Sequence, residues 1–283
     1  MTFPLFAPGD DPGPSFFGLL SRLQRLPQPP ATSVADTLAI THGTTVIAVR
    51  YADGVVMAGD RRATSGNLIS HRTMEKVYPA DRHSGVAIAG AAGPAMDMVK
   101  LFQLQLEHYE KVEGVELSLD GKANQLSVMV RSHLPAAMQG LVVVPLFAGF
   151  DLRRQAGRLF QYDVTGGRYE ESNFASTGSG SLHAGTVVKV GYRDGMERGE
   201  TVDLAISALF QAADEDSATG GPDLIRGIYP TMATITAAGF ERIADAEVAD
   251  RFRALVTRLS TPESTSATGA TPTMTDGAGG DAR

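Results

Sequence analysis

The sequence predicts an α+β sandwich, antiparallel sheets with layers of helices. Strand-forming runs come as hairpins, the clearest being Thr45–Tyr51 and Val55–Asp60 around the turn Ala52-Asp53-Gly54. Helical patterns come in consecutive pairs. The order is strands, two helices, strands, two helices, strands, helix, without the strict alternation that a doubly wound parallel sheet requires.

After the first hairpin, short strands are expected at Leu68–Ser70, Lys76–Tyr78 and Val86–Ala89. A helix is expected after Gly93-Pro94, because Ala95, Met98, Val99, Phe102, Leu106 and Tyr109 recur at three- and four-residue spacing. Asn124 to Met138 reads as a second helix, with Leu126, Met129, Val130, His133 and Leu134 on one face. Leu141–Asp151 and Arg158–Val164 read as strands, and Gly166-Gly167 as the turn into Arg168–Glu171. Helices follow at about Ser181–Val190 and Thr201–Ala213, then strands at Ile228–Tyr229, Ala233–Ala237 and Gly239–Ile243. A final helix covers about Ala246–Leu259.

The body is therefore residues 44–259, one domain by size. Residues 1–43 are rich in proline, glycine and serine and read as a pro-segment. Residues 260–283 are rich in threonine, serine, glycine and proline and read as a disordered tail. The longest apolar run of the leader, Phe16 to Leu20, contains a glycine and lacks a basic segment before it, so it does not fit a secretory signal.

Composition excludes several function classes. A net charge of -7 argues against a nucleic-acid partner. No stretch approaches the roughly 18 apolar residues of a membrane helix. With no cysteine, disulfides, thiolate catalysis and cysteine metal sites are excluded, and a reducing cytoplasm fits. The six histidines (His42, His71, His83, His108, His133 and His183) show no paired metal spacing, so neither metal nor cofactor is implied. Gly178-Ser179-Gly180-Ser181 is neither a G-x-S-x-G elbow nor a phosphate loop.

The junction Gly43-Thr44 carries the chemistry. An interior threonine is a poor nucleophile. Cleavage after Gly43 would give Thr44 a free α-amine with a reference pKa of about 7.7–8.0, against about 10.4 for a lysine side chain. That amine can take the proton of the hydroxyl on its own residue, a recognised nucleophile–base pair. Asp60 closes the second strand of the same hairpin. Lys76 lies among apolar strand residues, and a buried lysine needs a partner such as Asp60. An ammonium near the Thr44 oxygen would favour its deprotonated form. Gly90 ends a strand before a helix, where its N–H could receive an oxyanion.

The order and spacing of these residues resemble a known family. Thr44-Thr45-Val46, Val55 to Arg62, Lys76-Val77-Tyr78 and Ile88-Ala89-Gly90 are similar to the catalytic β subunit of the core-particle proteasome. So are Gly178 to Ser181 and Asp214 to Asp223, while Leu106 to Lys111 with Ala136 to Gly140 resembles the actinobacterial branch. The resemblance spans nearly all of residues 44–245.

It implies the four-layer αββα sandwich of N-terminal-nucleophile hydrolases. It implies Thr44 as nucleophile and base, Asp60 and Lys76 as the supporting pair, and Ser179, Asp216 and Thr219 around the amine as proton relay. Many family members carry serine at the Thr219 position, and the hydroxyl is kept. Gly90 would donate to the oxyanion, and Thr64 with Gly90 would hold substrate backbone. Ala63, Met74, Tyr78, Ile88, Ala92 and Met96 would line an uncharged pocket that favours apolar residues before the scissile bond. The chain would mature by attack of Thr44 on the Gly43 carbonyl. It would work inside stacked heptameric rings with α subunits, fed by an ATPase ring with unfolded proteins, some tagged by a small protein modifier.

Two rival readings stay open at this point. One is the simpler two-ring bacterial peptidase related to the proteasome. The other is a non-catalytic ring subunit in which Thr44 is only a strand residue.

Overall fold

A computed structural model describes residues 43–260 of the 283-residue chain. The expected pro-segment before Gly43, with His42, and the expected tail after Ser260 lie outside the described residues.

Among the described residues, twelve strands and six helices follow one another. The first half comprises β1 (Thr45–Tyr51), β2 (Gly54–Gly59), β3 (Ala63–Ser65), β4 (Leu68–His71), β5 (Val77–Asp81), β6 (Ser84–Gly90), α1 (Ala92–Glu113), α2 (Leu119–Ser132) and α3 (Leu134–Ala137). The second comprises β7 (Val143–Asp151), β8 (Ala156–Tyr162), β9 (Arg168–Glu171), β10 (Phe174–Gly178), α4 (Ser181–Gly191), α5 (Arg198–Glu215), β11 (Thr231–Thr236), β12 (Gly239–Arg242) and α6 (Asp245–Ser260).

The strands form two five-stranded sheets, ordered β10-β1-β2-β11-β12 and β5-β6-β7-β8-β9, plus the small pair β3-β4. Every pairing is antiparallel.

The sheets stack face to face because successive side chains of a strand point to opposite faces. In β1, Val46 and Ala48 enter the core between the sheets, while Ile47, Val49 and Tyr51 face helices. In β2, Val55 and Met57 face the second sheet and Val56 and Ala58 the helices. Sheet two answers with Ala87, Leu146, Ala148 and Leu159 between the sheets and Val86, Phe147 and Phe160 on its outer face. Helices α4, α5 and α6 cover the first sheet, and α1 and α2 cover the second. The order of layers is helices, sheet, sheet, helices, as the resemblance implies. Both faces of β1 and β2 are buried, so their sequences run apolar without polar alternation. Each fully buried Val, Ile, Leu or Phe contributes about 1.5–3 kcal/mol of transfer free energy.

Some elements differ from the sequence reading. The second helix starts at Leu119, not Asn124, because the Ser118 hydroxyl caps it by accepting the Gly121 N–H at 3.2 Å. It stops at Ser132. Pro135, which has no N–H to continue the helical ladder, confines the next turn to the separate α3. The first helix starts at Ala92, two residues before Pro94, which sits in its first turn. It ends at Gly114, whose φ of 73° and N–H bond to Glu110 O form a left-handed cap. Ile228 makes only an isolated bridge to Asp223, so Ile228–Tyr229 is not a strand. β3 and β10 were not expected. β10 has the sequence FASTG, too short and too small for an alternation signal, and it is an edge strand held by pairing with β1.

Among the described residues, no helix is long and apolar enough to cross a membrane, and no group of three or more acidic or histidine side chains could hold a metal ion.

Candidate active site

Antiparallel pairing brings the ends of several strands to the start of β1. Thr45 faces Gly178 at the end of β10, and Val46 faces Gly59 at the end of β2. Ser179 therefore comes opposite Thr44, and Asp60 opposite Thr45, whose carbonyl accepts the Asp60 N–H at 3.1 Å. Thr231 of β11 also pairs with Gly59. The loop after α5 delivers Asp216 to Gly220, and Lys76, just before β5, reaches across from the second sheet.

Asp60 is fully buried and accepts four hydrogen bonds. Its Oδ1 takes the Thr45 N–H at 2.8 Å and Lys76 Nζ at 2.7 Å. Its Oδ2 takes the Arg62 N–H at 2.9 Å and the Gly220 N–H at 2.8 Å. Lys76, 1% exposed, also donates to Arg62 O at 2.6 Å and to Gly43 O at 3.4 Å. Burial pushes the Lys76 ammonium below the usual lysine value, against the opposing pull of the Asp60 carboxylate.

Thr44 is 4% exposed, and its hydroxyl donates to the carbonyl oxygen of the preceding Gly43 at 2.7 Å. Its N–H donates to Ser179 Oγ at 3.3 Å. Asp216 Oδ2 accepts the Ser179 hydroxyl at 2.5 Å and the Thr219 hydroxyl at 2.6 Å, and Oδ1 accepts the Ala218 N–H at 3.1 Å. Burial works to raise the Asp216 carboxyl, but these bonds outweigh it and hold the group below the usual carboxylate value.

Gly43 enters through a constricted path. A Cβ there would lie 1.9 Å from Ala218 Cβ and 2.5 Å from Ala218 O, so only glycine passes. Its N–H donates to Thr64 Oγ1 at 3.1 Å.

Thr44, Asp60, Lys76, Ser179, Asp216 and Thr219 thus converge. Gly90 ends β6 with φ 109°, and a Cβ would lie 2.1 Å from Val142 O. Alternate N–H groups of a strand face the same side. The Ile88 N–H donates to Lys76 O at 3.0 Å, so the Gly90 N–H faces the side where Lys76 enters, past the last paired residue of β5. Gly90 and Gly178 line one cavity of about 310 Å³.

The expected pocket residues are more spread. Ala63 and Thr64 are buried in β3, and Ile88 is buried in the core under α1 with Tyr78 packed at its edge. The Tyr78 hydroxyl donates to Glu75 O at 2.6 Å. Met74 and Ala92 are half-buried, and Met96 is 40% exposed on the first turns of α1.

Sequence reasoning missed two participants. Arg62 enters the sequence reading only as the end of the run from Val55, with no role given, yet its N–H holds Asp60, its carbonyl holds Lys76, and its guanidinium donates to Ser217 O at 2.9 Å. Thr45 was read as a strand residue, yet its hydroxyl lies 2.6 Å from Thr219 Oγ1. Its alternation in β1 put it on a buried face, and a threonine there was the available signal.

Known proteins resemble this chain over most of its length. Residues 40–225 match the family described as proteasome subunit. A proteasome subunit beta of Acidimicrobium ferrooxidans is 56% identical over 248 residues, covering 88% of this chain and 91% of that protein. A proteasome subunit beta of Streptomyces griseus is 57% identical over 217 residues, 77% of each chain, and one of Jonesia denitrificans is 51% identical over 241 residues, 84% of this chain and 80% of that protein. With two antiparallel sheets between helical layers and a match of this extent, the chain belongs to the proteasome subunit family, on its β side.

Proposed function

We propose that this chain is the precursor of a threonine endopeptidase subunit, activated by self-cleavage between Gly43 and Thr44. Membership of the proteasome family supports a peptidase that assembles with other proteasome subunits. The observation that carries the finer reading is the Gly43 carbonyl oxygen, 2.7 Å from Thr44 Oγ1 and 3.4 Å from Lys76 Nζ.

In maturation, Thr44 Oγ1 bonds to the Gly43 carbonyl carbon and the Gly43–Thr44 C–N bond breaks, the hydroxyl proton ending on the released amine. The Lys76 ammonium steadies negative charge on the Gly43 oxygen. Water hydrolyses the ester and removes residues 1–43 as a propeptide. The free Thr44 amine is then the base for its own hydroxyl. Attack on a substrate carbonyl gives an acyl-enzyme, which water hydrolyses. Asp60 fixes Lys76, and Ser179, Asp216 and Thr219 orient the amine and relay its proton. The Gly90 N–H receives the oxyanion, and Gly90 with Thr64 holds substrate backbone. The uncharged set Ala63, Met74, Tyr78, Ile88, Ala92 and Met96 favours apolar residues before the scissile bond.

The chain acts in heptameric rings closed by α subunits, fed by an ATPase ring through the α ring, on unfolded and modifier-tagged polypeptides in the cytoplasm. The test is intact mass and N-terminal sequencing after coexpression with an α subunit, together with hydrolysis of an apolar fluorogenic peptide. A wild-type chain that begins at Thr44 and is active, beside a Thr44→Ala chain that keeps its leader and is inactive, is the expected result. Leader loss in Thr44→Ala overturns self-processing.

A further inference from the structure

Thr45 touches both halves of the site. Its N–H donates to Asp60 Oδ1, the oxygen that also holds Lys76. Its hydroxyl, wholly buried, accepts the Gly180 N–H at 3.1 Å and lies 2.6 Å from Thr219 Oγ1.

The direction of that last bond follows from proton counting. A hydroxyl has one proton to give. Thr219 donates its proton to the Asp216 carboxylate at 2.6 Å, so Thr45 must be the donor to Thr219. Ser179 likewise gives its proton to Asp216 at 2.5 Å, a charge-assisted bond that prevails over the 3.3 Å approach to Thr44 O. Ser179 therefore accepts from Thr44 N. The chain of bonds has a single sense: Thr44 N to Ser179 to Asp216 from one end, and Gly180 N–H to Thr45 to Thr219 to Asp216 from the other.

Gly180 is the residue after Ser179, so the bond from its N–H to Thr45 also fixes the Ser179 peptide. The space is closed to alternatives, since a Cβ on Gly180 would lie 2.4 Å from Thr45 Oγ1 and 2.7 Å from Thr219 Oγ1.

Resting on the threonine-peptidase reading above, we infer that Thr45 is a positioning residue of the reaction, its hydroxyl setting the orientation of Thr219, Asp216 and Ser179 around the Thr44 amine. It does not touch the reacting atoms. A methyl group in place of the hydroxyl leaves the Gly180 N–H without its acceptor and Thr219 without its donor, at three residues that are all buried.

The experiment uses particles coassembled from chains expressed without residues 1–43, so that no variant depends on self-cleavage: wild type, Thr44→Ala, Thr45→Val, Thr45→Ser, Thr219→Val and Thr45→Val/Thr219→Val. Thr45→Val keeps the β-branched shape. Its kcat is expected to fall about tenfold with KM unchanged, part of the roughly 10²–10⁴-fold that positioned proton transfer contributes. Thr45→Ser should restore kcat to within about twofold, and the double variant should lose no more than its worse single, since the residues act in one chain. If Thr45→Val does not assemble, Thr45→Ala carries the same readout. A wild-type kcat in a hydroxyl-free variant, or losses that multiply in the double, overturns the inference. Activity lost in Thr44→Ala but wild-type in Thr45→Val sinks this inference alone. Activity undiminished in Thr44→Ala sinks the peptidase reading beneath it.

Discussion

Lys76 Nζ lies 2.7 Å from Asp60 Oδ1, with the two side chains 1% and 0% exposed. Taking two charges out of water costs several kcal/mol per ion, and their attraction offsets it only when the remaining valences are filled. Here they are. Asp60 takes three backbone N–H groups besides Lys76, and Lys76 finds two carbonyls besides Asp60. Removing one partner leaves the other charge buried. Lys76→Met, made in uncleaved Thr44→Ala chain so that one species is compared, should lose about 3 kcal/mol in urea unfolding. A loss under about 1 kcal/mol would mean that Asp60 is satisfied by backbone alone.

The same burial gives opposite pH trends for stability and activity. Lys76 is held below its unfolded value of 10.5, so between the two values the unfolded chain binds more protons. Stability from this group rises with pH across that window. A reaction that uses the ammonium falls across it. The difference in Tm between wild-type sequence and Lys76→Met, both in Thr44→Ala chain, should shift in favour of lysine as pH climbs toward 10.5, while peptide hydrolysis by mature wild type declines. Hydrolysis that holds steady through the same window would remove the ammonium from the mechanism.

How much of this was legible depends on what each residue's signal rests on. Hairpin β1–β2 and helices α4 to α6 were readable because turn chemistry and apolar periodicity are local. The separate α3 was not, because the apolar pattern continues past Ser132 and only Pro135 interrupts it. β10 was not, because FASTG acquires strand geometry from its partner β1 rather than from its own propensity. At the site, Thr44, Asp60 and Lys76 were named because their residue types are informative in order. Ser179, Asp216 and Thr219 came from resemblance alone, since nothing local shows that a loop after α5 returns to the start of β1. Arg62 acts largely through backbone groups, of which a sequence carries no mark, and Thr45 is marked only by being a threonine on a buried strand face.

Gly43 can be tested apart from the nucleophile. With Ala at this position the new methyl meets Ala218 Cβ at 1.9 Å and Ala218 O at 2.5 Å, so Gly43 or the Ala218 segment must shift, and the expected result is a scissile carbonyl displaced relative to Thr44 Oγ1. A displacement of about 1 Å can cost 10²-fold in rate. Gly43→Ala should therefore slow leader removal by about that factor, followed by intact mass over time. Adding Ala218→Gly removes the side-chain clash but not the clash with the carbonyl, so it should restore the rate only in part. Cleavage of Gly43→Ala at the wild-type rate would show that the carbonyl position is not limiting.

Gly90 and Gly93 form a matched pair three residues apart. Gly90 has φ 109° and would place a Cβ 2.1 Å from Val142 O, whereas Gly93, in the first turn of α1, has open space around its Cα. Alanine at Gly90 must either strain that backbone or push β7 aside, at a cost of about 3 kcal/mol. Alanine at Gly93 should stabilise the helix by about 0.5–1 kcal/mol. Thermal unfolding of the two variants in Thr44→Ala chain should therefore diverge in sign. In mature particles Gly90→Ala should also lower kcat, because the N–H proposed for the oxyanion turns with the strand end, while Gly93→Ala keeps wild-type kcat. If Gly90→Ala loses stability but keeps kcat, the glycine serves the turn from β6 into α1 and the oxyanion is held elsewhere.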